Sequence, residues 1–259
     1  MTPILEKIIA QKRLEVIASE QAFSVEALKA SRYYQRETLS ARKALQFGGI
    51  IAEHKRRSPS KAAINFNRPL VDTLERYERG GAKVISVLTD TSFFGGSLED
   101  LALARASSNL PLLRKDFIIS TYQIDEAKAY GADLILLIAA ALSPAQINEF
   151  TDYAHLLGLE VLLEIHDLTE LTSNQKAPVD LLGINHRNLK TFETNLELGH
   201  ELLPHIGSDK IAIAESGIHS RKTLKKLWKD GFKGFLIGES LMKSKEPETI
   251  LTRWNQCLK

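Results

Sequence analysis

Lys115 is the residue around which the chemistry of this chain is arranged. In the run Leu112-Leu113-Arg114-Lys115-Asp116-Phe117, which follows Pro111, aliphatic side chains give way within a few positions to an ammonium, a carboxylate and an aromatic ring. The pattern reads as a short buried strand that delivers a cation into a pocket at its end. One charged strand end decides nothing, but the arrangement recurs. Other apolar runs end in Glu53 and Lys55, in Thr89-Asp90 followed by Phe93-Phe94, in Glu164, in Asn185 and Arg187, in Glu215-Ser216-Gly217 and in Gly238-Glu239. Residues two apart on a strand share a face, so Glu53 pairs with Lys55, and Asn185 with Arg187. A single ion pair satisfies itself. Polar groups at nearly every strand end, above apolar strand interiors, call for a shared site, and ammonium and carboxylate groups together supply an acid and a base.

The elements that must position these groups alternate. Apolar positions Ile4, Leu5, Ile8, Ile9, Leu14, Val16 and Ile17 predict a helix from about Thr2 to Ile17, with Pro3 in its first turn. A second short helix is expected around Ser24 to Ala30, and residues up to about Ala44 form a helical extension whose expected role is structural cover. From Gly48 onward strands are predicted at 49–53, 83–88, 112–115, 133–138, 160–164, 179–184, 210–214 and 234–237. Helices intervene, among them 70–79, stopped by Gly80-Gly81, and the one opened by Ser143-Pro144 and stopped by Gly158. Strand–helix alternation implies parallel pairing with right-handed crossovers. Eight units of roughly 20–35 residues suit a closed (β/α)8 barrel. An open doubly wound sheet would carry a glycine-rich first turn, whereas the first turn here, His54 to Lys61, holds four cations and no glycine. The expected fold is therefore α/β, a single (β/α)8 TIM barrel domain over 1–259, with residues 1–44 as the N-terminal extension and 45–259 as the barrel.

Composition narrows the function classes. With 259 residues, 44% hydrophobic and 25% charged, the chain suits one barrel-sized domain. A net charge of +2 gives no reason to expect nucleic-acid binding by bulk charge. No run is long and apolar enough to suggest a membrane span or a signal peptide. The single cysteine, Cys257, allows neither an intrachain disulfide nor a cysteine-based zinc site, and fits a cytoplasmic compartment. It shares a helix face with Ile250 and Trp254 and reads as a packed thiol. His166 and His186 lack metal-ligand spacing; no metal and no cofactor are expected.

The last two strand ends suggest what anchors a substrate. Gly217 and Gly238 each stand just past a strand, where backbone N–H groups can approach an anion, and the turns after strands seven and eight are a recurrent phosphate site in such barrels. The long first loop, about His54 to Arg68, holds Lys55, Arg56, Arg57, Lys61 and Arg68 and is expected to attract an anionic, phosphate-bearing small molecule. His54, alternating with Glu53 and Lys55, is expected to pack behind the sheet.

These residues resemble the indole-3-glycerol-phosphate synthase family along the whole chain. The motifs that carry the resemblance are Ala52-Glu53-His54-Lys55-Arg56-Arg57-Ser58-Pro59-Ser60-Lys61, Ser86-Val87-Leu88-Thr89-Asp90 with Phe93 to Ser97, Leu113 to Ile118, Glu164 to Asp167, Gly183 to Leu189, Ala214 to Ile218, and Leu236 to Leu241. The resemblance implies a carboxy-lyase of tryptophan biosynthesis. Its reaction converts 1-(2-carboxyphenylamino)-1-deoxyribulose 5-phosphate to indole-3-glycerol phosphate, releasing carbon dioxide and water. It implies Lys115 as general acid, Lys55 as holder of the substrate carboxylate and second acid, and Glu164 as general base, with Glu53 and Asn185 positioning the intermediate. It further implies an aromatic-ring wall of Phe94, Phe117, Leu136 and Leu189, and a polar rim of Arg187, Glu215 and Ser216. The phosphate would be held by Ser58, Ser216, Gly217, Gly238 and Glu239. Two positions depart from the family pattern: Ala62-Ala63 replaces an expected glycine, and His54 an expected aliphatic or aromatic residue. The sister barrel that isomerises phosphoribosylanthranilate would place a cysteine at the first strand end, where this chain has Glu53 and Lys55. A phosphate-binding barrel without catalysis would need neither the lysine acid nor the glutamate base. The chain is expected to act as a monomer; a further role beside other tryptophan-pathway enzymes is compatible with catalysis.

Overall fold

The computed structural model describes residues 3–59, 61, 63–65, 67–188 and 191–258. Helices α1 (Pro3–Ala22), α2 (Val25–Lys29) and α3 (Ala41–Leu45) precede the first strand. The barrel then runs β1 (Gly49–His54), α4 (Leu70–Arg79), β2 (Val84–Leu88), α5 (Thr91–Phe94), α6 (Leu98–Ser107), β3 (Leu112–Lys115), α7 (Thr121–Ala129), β4 (Leu134–Ile138), α8 (Pro144–Leu156) and β5 (Glu160–Ile165). It continues through α9 (Leu168–Ser173), β6 (Leu181–Asn185), α10 (Glu197–Leu202), β7 (Ile211–Glu215), α11 (Arg221–Asp230), β8 (Gly234–Ile237), α12 (Glu239–Lys243) and α13 (Pro247–Asn255). All eight strands pair in sequence order and β1 pairs with β8, so the parallel sheet closes. The expected (β/α)8 barrel is the observed fold.

Period-2 alternation divides each strand between two cores. Inward-facing Ile51, Val84, Leu113, Leu134, Leu136, Leu162, Leu181, Ile213 and Leu236 fill the barrel, and Ala41 and Leu45 of α3 join the same cluster. Alternate residues such as Ile50, Ile85, Leu112, Ile135, Leu163 and Phe235 pack outward against the helices. Trp254 and Cys257 belong to that outer core, as expected, and His54 is buried there too.

The extension departs from its reading in two respects. Helix α1 reaches Ala22, five residues past Ile17. Its buried stripe is Leu5, Ile8, Ile9, Lys12 and Val16, while Leu14 and Ile17 are exposed. The 3–4-residue spacing is intact, but one member of the stripe is a lysine, which an apolar count passes over. After β8, where a simple turn was expected, the chain forms the short helix α12.

Candidate active site

Alternation along the strands sets the top layer of the barrel interior. If Ile51, Leu113, Leu162, Leu181 and Ile213 face inward, then Glu53, Lys115, Glu164, Gly183 with Asn185, and Glu215 face inward one step higher. These side chains line one cavity at the C-terminal mouth, together with Lys55, Ser58, Phe94, Phe117, Leu136, Arg187, Ser216, Gly217, Gly238 and Glu239. Of the residues singled out in the sequence, Leu189, with Ser60 and Ala62 of the first loop, lies outside the described residues.

Lys115 Nζ lies 3.5 Å from Glu164 Oε2 and 4.0 Å from Glu215 Oε2. Glu164 Oε1 accepts from Asn185 Nδ2 at 3.2 Å. Across the floor, Lys55 Nζ and Glu53 Oε1 are 2.5 Å apart. Gly183 makes this crowding feasible, since a Cβ there would meet Glu215 Oε1 at 2.1 Å; at Gly238 a Cβ would meet Glu53 Oε1 at 2.3 Å.

Burial and neighbouring charge push the ionisable groups in different directions. Burial disfavours an ammonium at Lys115, but the Glu164, Glu215 and Glu53 carboxylates outweigh it and hold Lys115 above the usual lysine range. Burial likewise disfavours the Glu164 carboxylate, yet Lys115 and then His166 bring it well below the usual range. Glu215 moves the other way: burial and the adjacent Glu164 charge raise it well above an ordinary glutamate. Two carboxyl groups on one wall are thus pushed apart, Glu164 toward the carboxylate and Glu215 toward the neutral acid, the kind of separation on which acid–base chemistry is built.

The end of the cavity where the sequence leads one to expect a phosphate is built from backbone. Ser216 has φ +64° and Gly217 φ +75°. The left-handed region costs a serine about 1–3 kcal/mol, strain of the kind that clusters at ligand clamps. A Cβ on Gly217 would meet Thr194 Cγ2 at 2.5 Å. Gly238 caps α12, and its carbonyl accepts from the Leu241 and Met242 N–H groups at 3.0 and 2.9 Å. Opposite, the rings of Phe94 and Phe117 lie 5.9 Å apart, centroid to centroid.

Several features were not legible beforehand. Ile4, Leu5 and Ile8 of α1 line the cavity, so the extension does more than cover the barrel. Lys12 anchors it, with Nζ 3.0 Å from both Asp90 Oδ2 and Asp116 Oδ1. The cations of the first loop are engaged by protein groups. Arg56 pairs with Asp100, Arg57 donates to the Thr91 and Ser92 carbonyls, Lys61 pairs with Glu239, and Arg68 donates to the Leu241 and Ser244 carbonyls. Of the loop cations, Lys55 is the one that lines the cavity. His166 stands 3.2 Å from Glu164. The same two-residue rule that pairs Glu53 with Lys55 pairs Glu164 with His166 and could have found it.

A closed barrel that gathers a lysine among buried glutamates at its C-terminal mouth is a (β/α)8-barrel enzyme equipped for acid–base chemistry. A sequence model of the family "Indole-3-glycerol phosphate synthase" matches residues 5–253. Curated relatives bearing that name include one from Bacteroides thetaiotaomicron, 46% identical over 97% of each chain. Another, from Sulfurimonas denitrificans, is 44% identical over 96% of this chain and 97% of its own. The chain belongs to the indole-3-glycerol phosphate synthase family. Solved structures share the fold at low identity. The thiamine phosphate pyrophosphorylase of Pyrococcus furiosus superposes with a TM-score of 0.64 at 16% identity, covering 85% of this chain and 98% of that one. The 3-hexulose-6-phosphate synthase of Salmonella typhimurium does so at 0.63 and 12%, covering 81% and 98%.

Proposed function

We propose that the cavity at the barrel mouth carries out the family's ring closure with Lys115 as general acid and Glu164 as general base. The activity is that of the family: conversion of 1-(2-carboxyphenylamino)-1-deoxyribulose 5-phosphate to indole-3-glycerol phosphate, with loss of carbon dioxide and water. The observation that carries the assignment of roles is the 3.5 Å approach of Lys115 Nζ to Glu164 Oε2 across a single cavity.

The chemistry needs three events. A carbon of the carboxyl-bearing ring attacks the ketone, whose oxygen takes a proton; Lys115, kept as an ammonium chiefly by the Glu164 carboxylate, donates it. Carbon dioxide then leaves. Finally the new hydroxyl takes a proton from Lys55, the second acid, and departs as water, and a ring-system proton is removed; Glu164, kept ionised, accepts that proton. The resting site thus already holds the acid protonated and the base deprotonated. Each such group is worth about 10²–10⁴ in rate, or about 3–5 kcal/mol of barrel-mouth stabilisation of the transition state.

Binding follows the walls. Lys55, freed from Glu53 as the substrate enters, holds the substrate carboxylate, while Glu53 and Asn185 orient the departing hydroxyl. Phe94, Phe117 and Leu136, with Leu189, enclose the aromatic ring. Arg187, Glu215 and Ser216 form the polar rim, and Ser58 with the Ser216, Gly217, Gly238 and Glu239 backbone takes the phosphate. The same reading places the protein in the cytoplasm as a monomer acting on an anionic small molecule, with association with other tryptophan-pathway enzymes as an additional role; no described helix is long and apolar enough to cross a membrane.

The test supplies the carboxyphenylamino-deoxyribulose phosphate to purified protein and follows indole fluorescence. Lys115→Ala and Glu164→Gln should each remove most turnover while circular dichroism stays unchanged. Wild-type rates in either variant would reject the role given to that residue.

A further inference from the structure

Glu164 does not stand alone behind Lys115. His166 lies just past β5, with Nε2 3.2 Å from Glu164 Oε1 and Nδ1 3.3 Å from Glu170 Oε2. Its backbone N–H also donates to Glu170 Oε2 at 2.7 Å, so the outer carboxylate grips the residue at two points. Glu170 is itself tethered, because its N–H donates to the Asp167 side chain that caps α9. The imidazole Nε2 is buried and has no neighbour placed to accept a well-aligned hydrogen bond, which leaves the Glu164 carboxylate as its electrostatic partner. The ring does not line the cavity, so it acts on the substrate only through Glu164.

We propose that His166, clamped by Glu170, is a positioning residue for the general base: its imidazolium holds Glu164 Oε1 at the back of the site and supplies counter-charge, leaving Oε2 to face Lys115 and the substrate. This rests on the reading of Glu164 as the base. The groups facing the pair are Glu170 from α9, Lys115 from β3, Asn185 from β6 and Glu215 from β7. Burial disfavours the charged ring, but Glu164 and Glu170 outweigh it and raise His166 from 6.5 to about 10. When substrate draws Lys115 toward the ketone oxygen, Glu164 loses part of its first counter-charge. His166 lies outside the cavity and stays in place, so the carboxylate remains ionised and oriented until it takes its proton.

Two measurements test the assignment. In the full-length wild-type protein, the ring nitrogens of His166, followed by ¹⁵N NMR, should report an imidazolium at neutral pH. Glu170→Gln and Glu164→Gln should each lower the pH at which the ring loses its proton. A neutral His166 at pH about 7 would overturn the proposal without activity being involved. In kinetics, His166→Ala should lower kcat more than it changes KM and move the acid limb of the kcat profile to higher pH by about 1–3 units, the effect of losing a close opposite charge. His166→Asn keeps a donor but not the charge. It should recover rate on the plateau while leaving the limb displaced, and it replaces the alanine variant if that one fails to fold. A uniform fall in kcat with the limb unmoved in both variants would mean a merely structural histidine. Wild-type turnover by Glu164→Gln would instead remove the base reading, leaving the NMR result standing as a test of the clamp alone.

Discussion

Substituting Lys12 with methionine should release α1 from the barrel mouth. The lysine is buried, and its ammonium meets Asp90 and Asp116 at 3.0 Å each and Glu15 at 2.6 Å. Methionine matches much of its length and apolar stem but leaves the carboxylates without their shared cation. Removing one partner of a buried ion pair costs about 3–5 kcal/mol. Asp116 would keep Arg114 at 3.1 Å and Thr89 at 2.6 Å, and Asp90 Oδ1 would keep the N–H groups of Phe93 and Phe94. The loss should therefore fall at the lower end, about 3 kcal/mol, or about 6–12 °C in Tm for a chain of this size. The pH dependence has a definite sign. Lys12 is held above its ordinary 10.5, so its contribution is fully present below that value and fades only as pH climbs through the raised one. Asp116 is lowered from 3.8 to about 2, so its share is present above about 3.8 and is lost as pH falls toward 2. The gap between wild type and variant should thus be flat through neutral pH and narrow in strong acid. Because Ile4, Leu5 and Ile8 wall the cavity, KM should also rise. Thermal melts at several pH values and steady-state kinetics measure both effects. A Tm within about 2 °C of wild type, with KM unchanged, would refute the view that Lys12 pins the helix.

Two further outcomes are expected. Gly238→Ala should cost most of the activity, because the added Cβ would fall 2.3 Å from Glu53 Oε1 and force that carboxylate off Lys55; melting temperature should change far less than turnover. His54→Leu should make the protein more resistant to acid. Burial, and then the Arg56 charge, bring His54 down from 6.5 to about 4, so only the unfolded chain takes up its proton between those values. Stability is therefore lost as pH falls through that window, by about 3 kcal/mol in full. Urea midpoints at pH 7 and pH 4.5 should converge in the variant; an unchanged difference between the two would contradict the assignment.

The strand ladder and the chemistry at its upper ends were legible in the sequence. β3 and β8 fall on their expected residues, and the other six differ only by one or two residues at their ends. Alternation of side chains is a local property, and it alone puts Glu53, Lys115, Glu164, Asn185 and Glu215 on the inner face. Even Arg187 and the glycines after β7 and β8 follow from position along a strand. What alternation does not report is which distant groups become neighbours once β1 closes on β8. Lys12 looks like a surface lysine in a helical repeat until α1 crosses the mouth and brings it to Asp90 and Asp116, about 80 and 100 positions away. The cations of the first loop look available until the fold places Asp100, Glu239 and several carbonyls beside them. The opposite shifts of Glu164 and Glu215 are also tertiary, since they depend on burial and on charges that β5 and β3 bring together. The linear order of residues sets which face each side chain takes; closure of the barrel sets the field in which it titrates.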